Sequence, residues 1–238
     1  MLAQRDLRLG DRMVRTIEPE DAAVFWDRRY AQARLYGTEP TSAARQLARL
    51  FRQEQVTSVL EAGCGSGRDA LFYAREGFTV TGLDISAHAL RWAREEAADT
   101  GAPITLIAGD LLATNLALGS FDAVVAVHLI HLQAEPVRLA MVNRLWSLAR
   151  DGGLIAMANY ATDETGFTIW ESYPERNTRV DPKGKLVHFF DADDIAAILP
   201  PDRFHLLACE VVDLAEVPDG GPVTHREWLT VARKIRAC

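Results

Sequence analysis

From Val56 to Asn159 the chain alternates between short apolar runs and amphipathic stretches, and this alternation restricts the fold more than any other feature. Val56–Ala62, Phe78–Asp84, Ile104–Ala108, Ala123–Val127 and Leu154–Asn159 read as strands. Arg68–Glu76, the Ser86-capped Ala87–Ala98 and a stretch opened by Pro136 and reaching Ala149 read as helices. Proline suits a first helical turn, where its missing N–H has no partner to lose. Asp151-Gly152-Gly153 follows as a break. Strands that alternate with helices are joined by right-handed crossovers, which gives a parallel sheet covered on both faces.

The flanks read differently. Glu18-Pro19-Glu20-Asp21 opens a helical stretch to Leu35, and Tyr36–Pro40 breaks it. Thr41 or Ser42 caps a second helix to about Arg52, with Leu47, Leu50 and Phe51 on one face. Arg5, Arg8, Arg12 and Arg15 at the start resemble a transit peptide in charge alone. Asp6 and Asp11 interrupt them and no apolar segment follows, so a solvated helix or tail is expected. Residues Ala161–Phe190 form a long connection without periodicity, the kind that serves as a lid or binding loop. Asp191 caps a short helix ending before Pro200-Pro201. Leu206–Leu214 and Trp228–Val231 then flank the turn-rich Pro218–Pro222 as a hairpin. No internal repeat and no domain linker is visible.

The sharpest local signal lies inside the alternation. In Val59-Leu60-Glu61-Ala62-Gly63-Cys64-Gly65-Ser66-Gly67-Arg68 an apolar strand runs into three alternating glycines and then a helix. In a parallel sheet the carboxyl end of such a strand lies where ligands bind. Glycines there permit left-handed backbone and close approach, and the helix start presents N–H groups to an acceptor or anion. The dinucleotide fingerprint needs glycine at the first, third and sixth positions, and the sixth is Arg68. Asp84 ends the next strand, 21 residues after Gly63, where a carboxylate can accept from both ribose hydroxyls. Ser86 already caps the following helix. Asp110 ends the third strand and fits two roles: acceptor from an adenine amino group, with Ile85 and Leu111 bracketing the ring, or turn aspartate after Gly109.

Charge and cysteines narrow the functional classes. Against 26 basic residues stand 33 acidic ones, a net charge of −7. That balance opposes binding by phosphate neutralisation and docking on anionic membranes. The longest apolar stretch, around Val124–Leu132, contains His128 and His131 and is too short to span a bilayer. Cys64, Cys209 and Cys238 lie far apart and are odd in number, so a reducing compartment, the cytoplasm, is expected and no metal site is.

Glu61–Arg68, Asp84, Asp110 and Asp151-Gly152-Gly153 together resemble the class I S-adenosylmethionine-dependent methyltransferases, over roughly Val56 to Lys234. The resemblance implies an α/β, Rossmann-like, seven-stranded and mostly parallel sheet, with an antiparallel C-terminal hairpin and helices on both faces. It implies one methyltransferase domain over residues 1–238, with 1–52 as a helical cover and 161–190 as a substrate-side insertion. The cofactor would be S-adenosyl-L-methionine. Glu61, Gly63 and Gly65 would hold its methionine part, with Cys64 and Arg68 completing the turn. Asp84 would hold the ribose, Ile85, Asp110 and Leu111 the adenine, and Val127 and His128 the methyl-donor side. Phe25-Trp26-Asp27-Arg28-Arg29-Tyr30, Tyr36–Pro40, Gly65–Ala70 and His225–Lys234 are similar to the tellurite-resistance and thiopurine-methyltransferase-like group. In that group the N-terminal segment folds over the cofactor. This places Trp26, Tyr30 and Arg29 at the closing face, although Trp26 also suits an ordinary helix core.

Methyl transfer from a sulfonium is an in-line displacement that positioning can accelerate without a metal. A thiolate or oxyanion needs no strong base, whereas an alcohol or protonated amine does. His128 and His131 are candidates for a base near neutral pH, with a loop packing role as the other reading of His131. Tyr160, Trp170, Glu171 and Tyr173 are candidate substrate contacts, with lid packing as the other reading of the last three. No catalytic residue is assigned. The fourth strand ends Ala126-Val127-His128-Leu129 and lacks the Asn/Asp-Pro-Pro-aromatic sequence that amino methylases of nucleic acids carry by resemblance. The expected partner is a small molecule, with a thiol or chalcogen oxyanion favoured over the oxygen or nitrogen of a natural product. The other classes are an NAD(P)-dependent oxidoreductase and a non-catalytic cofactor-binding module.

Overall fold

The computed structural model describes residues 6–9, 12–15, 19–182, 184–216 and 223–235. Its centre is a seven-stranded sheet in the order β11-β12-β7-β6-β3-β4-β5. These strands are β3 (Ser58–Ala62), β4 (Thr79–Asp84), β5 (Ile104–Ala108), β6 (Phe121–Val127), β7 (Ala149–Tyr160), β11 (Phe204–Glu216) and β12 (Val223–Lys234). β3, β4, β5, β6 and β7 pair in parallel, and β12 runs antiparallel between β7 and β11. The expected architecture is therefore present. The chain leaves β3 toward β4 and β5, then returns to the other side of β3 with β6. That reversal is the topological switch point at which ligands bind in such sheets.

Both faces of the central strands are apolar, and alternate residues build two cores. Val59, Val125 and Ala156 pack with Leu47 and Phe51 of α2 (Ser42–Gln53), Leu71 of α3 (Arg68–Arg75) and Leu90 of α4 (Ala87–Thr100). Leu60, Val124 and Ile155 pack with Val142 and Leu145 of α5 (Glu135–Leu148) and Ile195 and Ile198 of α7 (Ala192–Ile198). At about 1.5–3 kcal/mol for each large aliphatic side chain buried, these two layers hold the sheet in register. Thr41, not Ser42, caps α2 by accepting from the Ala44 N–H, and Ser86 caps α4 through the Ala89 N–H.

Two segments depart from expectation. The N-terminal arginine-rich stretch is not helical. Its described residues form an antiparallel pair, β1 (Asp6–Leu9) with β2 (Arg12–Arg15), ahead of α1 (Pro19–Gln32). The 161–190 connection is not structureless either. It holds α6 (Thr165–Ile169) and a second sheet of β8 (Glu171–Ser172), β9 (Thr178–Val180) and β10 (Leu186–His188), ordered β10-β9-β8. Strands of two or three residues leave no period to read. This small sheet is tied down by charge. Arg138 of α5 pairs with Glu175 at 2.6 Å, and Arg176 bonds Asp191 and Asp194 at the start of α7. C-terminal pairing is longer than expected, running from Phe204↔Lys234 to Glu216↔Val223. Among the described residues no helix is long and apolar enough to cross a membrane, and no group of metal-binding side chains is present. Cys64 is buried and Cys209 exposed, while Cys238 lies outside the described residues.

Candidate active site

The carboxyl ends of the parallel strands open into a cavity of about 370 Å³. The turn after β3 forms its floor. Gly63, Gly65 and Gly67 all take positive φ, at 74°, 55° and 84°. The close approaches explain why glycine is needed. A Cβ on Gly65 would lie 2.5 Å from the Tyr30 hydroxyl, and one on Gly67 2.9 Å from the Ala93 Cβ in α4. The close helix contact of this turn therefore falls at its fifth position, not the sixth. The Arg68 guanidinium reaches the Tyr36 carbonyl oxygen at 3.4 Å and covers the Tyr36 ring, at the margin of the cavity it also lines.

Three acids stand around this floor. Asp84 is 8% exposed and accepts from the Gly65 N–H at 2.7 Å and the Ser86 N–H at 2.8 Å. Burial pushes its carboxyl above the usual range, against the pull of those two N–H groups. Glu61 is 4% exposed, and its Oε2 has no hydrogen-bond partner among the described residues. Burial first, and Asp69 next, push the Glu61 carboxyl well above the usual carboxylate range. Asp110 accepts from the Leu112 N–H at 2.8 Å and also lines the cavity, so the turn role and an outward-facing oxygen coexist.

A helical cover closes one side. Trp26 and Tyr30 of α1 line the cavity, with ring centroids 6.4 Å apart. Asp27, on the same helix, accepts from the Ser86 hydroxyl and the His88 N–H, and meets His88 Nδ1, each at 2.9 Å. Its carboxyl is held below the usual range, chiefly by the His88 N–H. The Trp92 indole N–H donates to the Tyr30 carbonyl at 3.0 Å. α1 is thus fastened to α4, across the glycine turn. Arg29 instead lies against the Phe25 and Trp26 rings, outside the cavity lining.

The opposite side is aromatic and rich in histidine. Tyr160 at the end of β7 stacks on His131 with centroids 4.6 Å apart, and contacts His225 at 4.9 Å and His128 at 5.5 Å. His128 Nε2 lies 2.8 Å from both carboxylate oxygens of Glu227. His131 is 2% exposed, and burial holds its pKa well below the ordinary imidazole value. Cys64, Ile85, Leu111 and Val127 line the space between the two sides. Trp170, Glu171 and Tyr173 do not come to the cavity. Trp170 packs edge-on to Phe189 and beneath Gly166, and Glu171 is exposed at the edge of the small sheet, which turns away from the cavity here. For Trp170 the packing reading is the one this geometry supports.

Lys185, Gln133, His225 and Glu227 escaped the sequence reading. Lys185 reaches the cavity from the loop before β10, close to the Trp26 ring. Glu227 had a usable signal. It shares a β12 face with Leu229 and Val231, and a carboxylate on a buried apolar face requires a partner.

Residues 59–153 match a family model described as a methyltransferase domain. Over 112 residues it is 36% identical to an uncharacterized methyltransferase of Mycobacterium tuberculosis, a match covering 47% of this chain and 55% of that protein. It is 31% identical over 170 residues to a malonyl-[acyl-carrier protein] O-methyltransferase of Pectobacterium atrosepticum, covering 70% and 61%. The chain thus matches little more than half the length of these curated relatives. Among solved structures, one from work on the conversion of a disulfide bond into a thioacetal group during echinomycin biosynthesis superposes with a TM-score of 0.72. It is 21% identical and the match covers 90% of this chain and 92% of that one. The seven-stranded architecture is the Rossmann-like fold of methyltransferases.

Proposed function

We propose that the chain is a small-molecule methyltransferase that uses S-adenosyl-L-methionine. The observation that carries this reading is the unpartnered, buried Oε2 of Glu61 beside the glycine turn. A buried carboxylate oxygen without a partner is costly unless a cation arrives, and the ammonium of the cofactor's methionine part is such a cation. The remaining residues fit the same molecule. Gly63 and Gly65 give it backbone to lie against, Asp84 would accept from the ribose hydroxyls, and Asp110 from the adenine amino group between Ile85 and Leu111. Cys64 and Arg68 complete the turn, and Val127 and His128 would border the sulfonium. When bound, the cofactor supplies an activated methyl group. The chain's residues orient the acceptor, and α1 with Trp26 and Tyr30 keeps water out.

The whole chain is read as one methyltransferase domain, with residues 1–52 as cover and 161–190 as a substrate-side insertion. His131 and Tyr160 would contact the acceptor. Within the small-molecule class we favour sulfur as the accepting atom, a preference that rests on the resemblance of the Phe25–Tyr30 and His225–Lys234 segments to the thiopurine-methyltransferase-like group. The structurally similar echinomycin protein, named for chemistry at sulfur, agrees with it. The test is a labelled-methyl screen over thiol, phenol, amine and chalcogen oxyanion acceptors, with products identified by mass spectrometry. Transfer to at least one class is expected. S-adenosylhomocysteine binding with no transfer across the panel would leave a non-catalytic cofactor-binding module instead.

Glu61→Gln separates binding from stability. Because the folded-state pKa of Glu61 lies above the ordinary carboxylate value of 4.5, the ionised carboxylate opposes folding in the ligand-free protein. That burden is absent below pH 4.5 and grows as pH rises toward the folded-state value. Urea melts of the ligand-free proteins should show Glu61→Gln gaining on wild type as pH rises, while its affinity for S-adenosylhomocysteine falls. Equal stability across the range would remove the unpartnered carboxylate from the argument.

A further inference from the structure

We propose that His128, held by Glu227, is the general base of methyl transfer, and that the acceptor therefore carries a proton on its nucleophilic atom: among sulfur and oxygen acceptors it is a thiol or a hydroxyl, not an oxyanion. The inference rests on the methyl-transfer reading given above. Its starting point is backbone. His128 follows the last residue of β6 with φ of 54°, a conformation that glycine adopts freely and a side chain adopts under strain. Its N–H donates to the Ala158 carbonyl at 3.1 Å, which fixes the turn. The strained position keeps an imidazole where glycine would be the easier choice, and the ring lines the cavity at the strand end that faces the methyl-donor side.

Behind the ring lies Glu227, fully buried on β12 and paired in register with Tyr160. Both of its carboxylate oxygens are 2.8 Å from Nε2. A carboxylate accepts, so Nε2 carries the hydrogen and the lone pair of the neutral ring is on Nδ1. Among the described residues, His131 lies 5.6 Å from the ring between centroids and Tyr160 5.5 Å, and Lys185 and His225 line the same cavity. His131 is buried, and burial holds its pKa well below the ordinary imidazole value, so it is a poor base.

The step balances with these groups alone. The acceptor's S–H or O–H bond breaks, and its proton passes to Nδ1 of His128. The electron pair left on that atom forms the new bond to the methyl carbon, and the pair of the breaking carbon–sulfur bond stays on the donor sulfur. The resulting imidazolium is balanced by Glu227, and its proton is later released to water. An oxyanion acceptor has no proton to give, and the base would be idle.

The test uses the full chain. His128→Gly suits the backbone, so the variant keeps its fold and removes only the imidazole. Glu227→Gln keeps the shape of the positioning residue and removes its charge. Dithiothreitol, 2-mercaptoethanol and phenol serve as protic probes, and tellurite and selenite as oxyanions. Wild type should methylate protic probes, and His128→Gly should lose about 100-fold or more in kcat on them, the scale of a general base. Added imidazole should restore much of that loss, and S-adenosylhomocysteine should still bind. Nitrogen NMR of the His128 ring should show the Nε2–H tautomer in wild type and its loss of dominance in Glu227→Gln. Undiminished turnover in His128→Gly, no rescue by imidazole, an Nδ1–H tautomer in wild type, or a panel with no protic acceptor methylated would each overturn the assignment. If wild type fails to bind S-adenosylhomocysteine, the methyl-transfer reading itself falls and takes this assignment with it.

Discussion

Asp84→Ala is expected to weaken S-adenosylhomocysteine binding by about 1.5–3 kcal/mol, the scale of hydrogen bonds to a charged group. At about 1.4 kcal/mol per factor of ten, that is a loss of between tenfold and somewhat over a hundredfold in Kd. The carboxylate stands at the end of β4 at the switch point, 8% exposed, with one oxygen on the Gly65 N–H and the other on the Ser86 N–H. These two bonds orient it, and each oxygen has a second lone pair to offer a ribose hydroxyl. Alanine removes the acceptor and also frees the Gly65 N–H, so the glycine turn loses an anchor as well. Asp84→Asn keeps one acceptor oxygen and should fall between the two. Isothermal titration gives the affinities. An unchanged Kd in Asp84→Ala would move the ribose contact to another residue.

Arg138→Ala is expected to destabilise the protein by about 3 kcal/mol, the lower end for breaking a buried ion pair, because its partner keeps some solvent contact. For a chain of this size that corresponds to a fall in Tm of about 6–12 °C. The Arg138 side chain is 6% exposed and Glu175 20%. Besides the 2.6 Å contact with Glu175, the guanidinium donates to the Gln133 carbonyl at 2.6 Å and lies over the Phe190 ring. It therefore joins α5, the small sheet and the loop carrying Gln133 in the cavity wall. Burial, and Arg138 beside it, hold the neighbouring His188 down to a pKa of about 3. Arg138→Met, which keeps packing but leaves Glu175 uncompensated, should recover little of the loss. Thermal and urea melts decide it. A shift below about 1 kcal/mol would show that the pair behaves as a surface salt bridge.

Much of the core was legible because period and position coincide there. Apolar residues dominate β3, β6 and β7 at Val59–Leu60, Ala123–Val127 and Leu154–Ala158, where both faces are covered, and glycines with acids mark the strand ends that line the cavity. The same logic misled at the N-terminus. Four arginines interrupted by Asp6 and Asp11 suggested a solvated helix or tail, but the described residues pair as β1 and β2. In residues 161–190 the strands are too short for periodicity. Their order comes from ion pairs with Arg138, Asp191 and Asp194, partners that are distant in sequence. Glu227 was missed for a related reason. It lies 99 residues from His128, and only the strand order, which sets β12 beside β7, brings them together.

The central claim is that the cavity holds S-adenosylmethionine, and the most direct measurement is a calorimetric titration of the full chain with S-adenosylhomocysteine, run alongside NADH. Saturable binding of S-adenosylhomocysteine at one site per chain, weakened in Asp84→Ala and absent for NADH, is the predicted result. Binding of NADH without binding of S-adenosylhomocysteine would contradict it and return the glycine turn to dinucleotide recognition.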